Sequence, residues 1–432
     1  MAFSGIIKRN FCFAAIALAI GAGAWTVTGT TAAYSDNYSE SGSDYDDSDN
    51  GWGEQFDRSF AKQWETNPPR GYPTLSQKNL EPMKVAVKRY AQIVAAGGWR
   101  KVPEVEMKVG VNNPAVKLLR ERLTLTGDLA HQSTGYLSTF DYYVEQAVKK
   151  FQTRHGLAPT GVVGDETLVA LNIPASARLR QLRLNLVRMS YFSKSTTDKY
   201  VMANIAAAQV EAVEDGKVVS RHSAIVGKFD RRTPVLQSKI HEINFNPFWT
   251  LPRSIIRKDL VPQAQEYAKR GKDLLEVVKI NVFTHKGEPV DSRTLDWNED
   301  VARKYIFKQD PWKENALGFV KINFHNTHAV FLHDTPSKTL FSQNFRAQSS
   351  GCIRVQNIQQ LIAWILKDNE DWNISRIADV KRTVSREDIK VKKRIPIFLI
   401  YLTAWATEDS AVHFRPDIYR RDAEGTKTAA AY

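Results

Sequence analysis

Phe331-Leu-His-Asp-Thr-Pro-Ser-Lys-Thr-Leu-Phe-Ser-Gln-Asn-Phe-Arg-Ala-Gln-Ser-Ser-Gly-Cys-Ile-Arg-Val-Gln-Asn357 is the stretch from which the rest of this 432-residue chain is read. The apolar run Ala329-Val-Phe-Leu332 reads as a strand that delivers His333 at its end. Ser349-Ser-Gly-Cys352 then presents a cysteine behind a glycine, and Ile353-Arg-Val355 leads into an amphipathic helix with Ile358, Leu361, Ile362 and Ile365 inward. Cysteine catalysis needs a thiolate, a base within hydrogen-bond reach and donors for an oxyanion. Cys352 is the candidate nucleophile and His333 the candidate base. Gly351 takes bulk away from the nucleophile and lets backbone N–H groups approach an oxyanion, with Ser350 beside it. Arg354, if it projects toward the site, favours a thiolate and suits a carboxylate ligand. The second ring nitrogen of His333 needs an acceptor. A backbone carbonyl fits better than the Asp334 side chain, because adjacent side chains at a strand end diverge.

Working outward, cysteine usage sharpens this reading. The chain has two cysteines, and Cys12 lies in an N-terminal segment with the marks of a secretory signal. Lys8-Arg9 is its basic head, Phe11 to Ala24 its apolar stretch, and Thr31-Ala-Ala33 its cleavage site. An uncleaved anchor is the alternative, and both readings export the chain. Export leaves Cys352 alone in an oxidising compartment, where cysteines normally pair. A zinc set of His325, His328, His333 and Cys352 has no familiar spacing, and no metal or cofactor is expected. His325 and His328 are read as shaping the rim of the site.

Charge is uneven. Residues 34–66 carry nine acids and two bases, too polar to bury a core, and read as a disordered acidic spacer. Within it Phe56, Phe60 and Trp64 suggest a short helix. The whole chain is +13, so with +2 on residues 1–33 and −7 on the spacer, the body from residue 67 carries +18. Outside the cytoplasm that favours an anionic polymer over nucleic acid, for which no motif is present.

In order, residues 75–98 form a helix with Met83, Val87, Tyr90 and Val94 on one face, stopped by Gly97-Gly98. Residues 112–174 form a compact helical module. Asn113-Pro114 opens its first helix, Asp141 caps the second, and Asp165 caps a last short one. A further helix, 179–192, links it onward, so 67–111 and 175–198 make a helical scaffold. From residue 199 the period changes to strands. Tyr200–Ala208 and Gln209–Val213 are followed by a hairpin turn at Asp215-Gly216 and a strand over 218–226. Residues 251–317 read as a cap inserted between strands, helical over 253–276 and 296–305. The sheet resumes at 318–324, a core strand covers 396–402, and 409–432 is a polar tail.

Two stretches resemble known families. Ala147-Val-Lys-Lys-Phe-Gln-Thr-Arg-His-Gly156 followed by Gly161-Val-Val-Gly-Asp-Glu-Thr-Leu168 resembles the three-helix peptidoglycan-binding module. His333, the gap, and Ser349-Ser-Gly-Cys352 resemble the L,D-transpeptidases with a YkuD-type catalytic domain, specifically the large periplasmic kind typified by YcbB of Gram-negative bacteria. Asn246-Pro-Phe-Trp249, Asn315-Ala-Leu-Gly318 and His333-Asp-Thr-Pro336 extend the likeness to about residues 75–405. Two positions depart from the common pattern: its histidine before Gly-Cys is Ser350 here, and its asparagine after Cys-x is Arg354.

The resemblance implies a mostly β-sandwich catalytic domain with a helical cap. It implies Cys352 as nucleophile, His333 as base, and Gly351, Ser350 and Asp334 in oxyanion or orienting roles. Arg354, Trp249, Asn246, His325, Lys321 and Ser349 become candidate substrate contacts. The implied reaction takes a tetrapeptide stem containing diaminopimelate, releases D-alanine, and forms a 3→3 cross-link through a thioester. Outer-membrane proteins or lipoproteins are further candidate acceptors, and carbapenem β-lactams candidate covalent inhibitors. An L,D-carboxypeptidase and a non-catalytic wall-binding scaffold remain as alternatives. A papain-like protease is disfavoured, because there the cysteine precedes the histidine.

Overall fold

A computed structural model describes residues 70–130 and 136–423. The signal segment, the spacer with its short helix, and the end of the tail lie outside them. Strand β1 (Lys199–Asn204), β2 (Gln209–Glu214), β3 (Lys217–Gly227) and β4 (Leu236–Phe245) begin the β-rich region. The insertion carries β5 (Trp249–Thr250), β6 (Ile280–Phe283), β7 (Pro289–Val290) and β8 (Ile306–Gln309). Then come β9 (Val320–Phe324), β10 (Leu332–His333), β11 (Ala347–Ser349), β12 (Ile353–Val355), β13 (Glu387–Ile400), β14 (Ala404–Ala406) and β15 (Val412–Phe414).

The expected sandwich is instead one sheet closed on itself. Its order runs β1, β2, β3, β12, β10, β9, β4, β13 and back to β1. Closure comes from long, bent strands. β3 pairs with β2 along its first part and with β12 at Ala224 and Ile225, while β13 holds β1 on one edge and β4 on the other. Irregular registers at Ala212/Val213, Ile240/Glu242 and Lys390/Ile395 bend these strands. Alternation along a sequence reveals strands but not whether the two edges of a sheet meet, so sandwich and barrel read alike. Inward positions such as Val320, Ile322, Leu332 and Ile353 fill one core with Leu361 and Ile365 of a helix over Ile358–Ile365 and Ile377 and Val380 of another over Ile374–Thr383. Intervening residues, among them Lys321 and His333, face outward.

Helix α1 (Leu80–Ala95) and, after the module, α5 (Ala175–Ser193) bury Met83, Tyr90, Leu182 and Met189 against Met202 of β1 and Phe398 of β13. The inward face of α1 is turned slightly from expectation, since Ala86 and Ile93 are buried and Val87 and Val94 only partly. Between them lie α2 (Pro114–Leu125), α3 (Tyr142–His155) and α4 (Asp165–Asn172), with their own core around Leu119, Phe140 and Phe151. Asn113 and Asp141 cap as read, accepting from Ala115 N and Val144 N. Asp165 does not cap: the N-cap is Gly164, and Asp165 is the first helical residue, where its charge still suits the helix dipole. Arg154 of α3, paired with Asp128, donates to Val412 O, and Arg415 donates back to Arg154 O, which ties the module to the β14–β15 hairpin.

Three further expectations shift. β1 ends at Asn204, and residues 205–208 turn, with Ala208 at φ 46°. The inserted helix is broken into Arg253–Ile255, a π turn over Ile256–Leu260 and α6 (Val261–Ala268). Pro262 lacks the N–H that would bond back to Lys258, and Gly271 at φ 66° ends the run. Over 296–305 only Val301–Lys304 is helical, because Asp296 folds its side chain onto Asn298 N in a turn. The tail residues 409–423 are packed: Tyr419 is fully buried, its hydroxyl reaches Gly227 O, and Asp422 pairs with Arg188. The helices over Ile358–Ile365 and Ile374–Thr383 are α7 and α8 below. Among the described residues no helix is long and apolar enough to cross a membrane.

Gly318 shows how tightly the end of β9 is held. It sits at φ 61°, and a Cβ there would stand 2.4 Å from Asp334 Oδ2 and 2.5 Å from its Cβ. Gly318→Ala is expected to destabilise the protein by about 2–3 kcal/mol, since it combines backbone strain with overpacking. Chemical denaturation reads the loss, and an unchanged midpoint would contradict the packing described.

Candidate functional site

The site lies on the outer face of the barrel where β9, β10 and β12 run side by side. β10 pairs parallel with β12, Leu332 opposite Ile353 and His333 opposite Arg354, and antiparallel with β9, His333 opposite Lys321. Leu332, Ile353 and Ile322 point into the core, so His333, Lys321 and Arg354 share the opposite face, while Cys352, just ahead of β12, lies half-buried at the edge of that core. Cys352 immediately precedes β12 and His333 ends β10, so the pairing of the two strands brings their backbones close together. In this state the Cys352 thiol donates to Ala329 O at 4.0 Å and forms no hydrogen bond with the imidazole. Acid–base contacts of this kind commonly tighten only when substrate is seated.

His333 is buried and fixed. Its Nδ1 lies 2.5 Å from Asp334 O, and because a carbonyl only accepts, Nδ1 carries the proton and Nε2 keeps a basic lone pair. Phe331 meets the ring edge-on with 5.5 Å between centroids. Burial lowers the imidazole pKa to about 4 against the opposing pull of the Asp334 backbone and charge and of the Leu317 backbone, with the Lys321 charge a minor further push downward. Burial likewise raises the Cys352 thiol to about 11, and Lys321 opposes the rise. The resting pair is therefore a neutral thiol beside a neutral imidazole, not an ion pair. The Asp334 carboxylate faces away from the ring: it pairs with Lys338 and accepts from Phe319 N at 3.3 Å.

The nucleophile loop is pinned through its carbonyls. Lys228 N donates to Ser349 O at 2.9 Å, Thr233 Oγ1 to Gly351 O at 2.8 Å, and Ser349 Oγ to Cys352 O at 2.5 Å. A trans peptide points its N–H opposite its C=O. With Gly351 O held by Thr233, the Cys352 N–H is directed away from that loop, and it has no protein acceptor among the described residues. It is therefore available to a ligand atom. The Gly351 N–H is less available, because it already donates to Ser349 Oγ at 3.1 Å. Gly351 matters for its φ of 120° rather than for bulk, since the nearest atom to an added Cβ is 3.7 Å away.

Of the candidate substrate contacts, Lys321 lies at the site, where its charge acts on Cys352, Arg354 is placed only by its backbone register opposite His333, and others lie elsewhere. Lys321 Nζ lies 4.4 Å from the Phe331 ring centroid. Arg354 is buried, its Nε has no partner, and burial lowers its pKa to about 10. No carboxylate pairs with either cation within 4 Å among the described residues, so both leave positive charge for a ligand to meet. Ser349 is a buried brace of the loop. Asn246 instead donates to Val380 O at 3.0 Å and Ser385 O at 2.6 Å, holding the end of α8. Trp249 is part of the insertion's own core. His325 sits past the far end of β9, stacked on His241 with 4.0 Å between centroids. The resemblance made Asn246 and Trp249 candidate substrate contacts, but packing uses both. Sequence reading missed Arg231, Thr233 and Asp259, which lie far from Cys352 in the chain and carry no motif.

A thiol held near 11 gives a direct expectation. Alkylation of Cys352 by iodoacetamide should be slow at pH 7 and climb about tenfold per pH unit up to pH 10, as the thiolate fraction does. Mass spectrometry of the Cys352 peptide follows it, and a plateau already reached at pH 7 would mean a preformed thiolate.

Comparison with known proteins bears on this geometry. Residues 198–385 match the family model described as the L,D-transpeptidase catalytic domain, YkuD, and residues 112–171 match that of the "Putative peptidoglycan binding domain". A "Putative L,D-transpeptidase" of Haemophilus influenzae is 32% identical over 223 residues, 51% of this chain and 44% of that protein, so the likeness spans less than half of the relative. Solved L,D-transpeptidase structures from Xylanimonas cellulosilytica (16% identity, 69% of this chain and 98% of that one, TM-score 0.24) and Stackebrandtia nassauensis (15%, 68% and 94%, 0.26) are more distant. The chain thus carries a YkuD-type L,D-transpeptidase catalytic domain together with a peptidoglycan-binding module.

Proposed function

We propose that the protein is an L,D-transpeptidase of the large periplasmic subgroup that forms 3→3 cross-links in peptidoglycan. The observation that carries the reading is the pairing of β10 with β12, which brings the backbone of Cys352 close to that of a His333 whose Nδ1 is locked on Asp334 O. The donor is a tetrapeptide stem. Cys352 Sγ attacks the carbonyl between the L-centre of diaminopimelate and the terminal D-alanine. The thiol proton passes to His333 Nε2, and the Cys352 N–H receives the developing oxyanion. The C–N bond then breaks, His333 returns the proton to the departing D-alanine amine, and a thioester remains. An amine of a second diaminopimelate attacks it, its proton goes to His333, and the thiolate leaves and takes that proton back. Because the resting pair is neutral, the thiol is deprotonated as it attacks, and a base with a pKa near 4 is unprotonated throughout the neutral range.

Lys321 and Arg354 suit the carboxylates that a stem peptide brings to this face. The +18 body suits the same anionic polymer, and the module at 112–171 keeps the enzyme on it. The signal-like N-terminal sequence and that module support a periplasmic location, and the insertion over about 251–317 caps the substrate. Outer-membrane proteins or lipoproteins are alternative acceptors. Water as acceptor makes the same acyl-enzyme an L,D-carboxypeptidase. Carbapenems are expected to acylate Cys352 by the same attack on a strained carbonyl.

Wild type and Cys352→Ala should be incubated with disaccharide-tetrapeptide and products weighed. Wild type is expected to release D-alanine and yield a dimer, and the variant nothing. A tripeptide without dimer would favour the carboxypeptidase. Sacculus binding with no product from wild type would favour a wall-binding scaffold.

A further inference from the structure

The nucleophile loop is also held from the insertion. β3 leaves the barrel at Gly227 and the chain makes a short turn over Phe229–Arg231 before Thr233 and β4. From that turn Arg231 reaches two places at once. Its Nη1 and Nη2 fork onto the carboxylate of Asp259, with Nη2 to Oδ1 at 2.7 Å, and the same Nη1 donates to Ser350 Oγ at 2.8 Å. Asp259 belongs to the π turn Ile256–Leu260 of the insertion and is 1% exposed. A planar guanidinium held on both carboxylate oxygens cannot rotate freely, so the direction of its third bond is set by the insertion. That bond ends two residues before Cys352.

We propose that Arg231 is a positioning residue for the nucleophile, and that Asp259 of the insertion sets its aim through Ser350. The proposal rests on the function given above and adds to it how the cap region is wired to the reacting peptide. Ser350 is flanked by peptides whose carbonyls, Ser349 O and Gly351 O, are held by Lys228 N and Thr233 Oγ1 of the same 228–233 loop. Those two bonds fix the peptide planes at either end, while the Arg231 bond fixes the side chain between them. Gly351, at φ 120°, has no side chain of its own to resist rotation. Losing the Arg231 bond leaves the Thr233 bond to hold the Gly351–Cys352 peptide alone, and with it the N–H that meets the oxyanion. The serine at position 350 acquires a reason: a small hydroxyl accepts the Arg231 N–H at a place where imidazole is the more common side chain of the resembling family. π turns arise where an extra residue is accommodated in a helix, and this one delivers Asp259 to the barrel.

Two readouts test it on the full chain without its signal. The first is carbapenem acylation of Cys352 by stopped-time mass spectrometry, for wild type, Asp259→Asn, Ser350→Ala, the double variant and Arg231→Lys. Each single change is expected to slow acylation about 10- to 100-fold, the scale of a misplaced oxyanion donor. The double variant should lose little more than either alone, since both act through one guanidinium. Arg231→Lys should not restore the rate, because an ammonium cannot fork onto Asp259 and still reach Ser350. Iodoacetamide alkylation, which needs no oxyanion donor, should change less than about twofold. The second readout is amide hydrogen exchange over residues 349–353, expected to quicken in Asp259→Asn while thermal unfolding of the barrel is kept. Additive losses, or equal losses of alkylation and acylation, would overturn the proposal. So would unchanged exchange in Asp259→Asn, and that result stands whether or not the wild type is acylated. A wild type that no carbapenem acylates would count against the function instead, leaving exchange to decide the positioning role.

Discussion

The parallel pairing of β10 with β12 is the constraint on which the site depends. Parallel neighbours keep side chains of paired residues on one face, so Leu332 and Ile353 go to the core and His333 and Arg354 come outward together, with Cys352 held just ahead of β12. A slip of one residue would turn Cys352 into the barrel and Ile353 out of it. The fully buried Leu332 and Ile353 make that slip costly, so the apolar core fixes the register of the reactive residues. Closure of the sheet serves the same end, since β3 holds β12 from the other side.

Burial then decides the electrostatics. Taking His333 out of water disfavours its cation, and taking Cys352 out of water disfavours its anion, so proximity alone does not produce an ion pair. The partners left with charge are Lys321 and Arg354. Lys321 acts on the Cys352 thiol and is itself under the pull of Glu242 and Asp388, while Arg354 stands opposite His333 in the strand register with no carboxylate within 4 Å among the described residues. This arrangement keeps the thiol unreactive toward small oxidants at rest, since the thiolate is the reactive form. It also makes the loop carbonyls matter, because the N–H of Cys352 is aimed by the Thr233 bond to Gly351 O.

Much of this was legible in the sequence, and the reasons differ from element to element. Cys352 and His333 stood out because an exported chain with one remaining cysteine and a strand-end histidine leaves few other roles. The module helices carry their own caps at Asn113 and Asp141, which are local signals. The barrel was read as a sandwich because closure depends on bends in β3, β4 and β13, and bends are not written in alternation. The insertion's helix was read as continuous because Pro262 sits near a helix start, where proline is also welcome. Asn246, Trp249 and His325 were drawn into the site by residue type and by likeness, while the structure uses them for packing and loop support. The brace from Arg231 and Asp259 was invisible, because its three members, Arg231, Asp259 and Ser350, are spread over 119 positions of the chain in no recognisable spacing.

The most direct measurement is ¹⁵N NMR of histidine-labelled protein, following the two ring nitrogens of His333 from pH 8 to pH 3.5, with His333→Gln to assign them. A neutral ring with the proton on Nδ1 down to about pH 4 is the result expected from the Asp334 contact and burial. A ring that takes up its second proton near 6.5, or that carries its proton on Nε2, would contradict the neutral base on which the proposed chemistry rests.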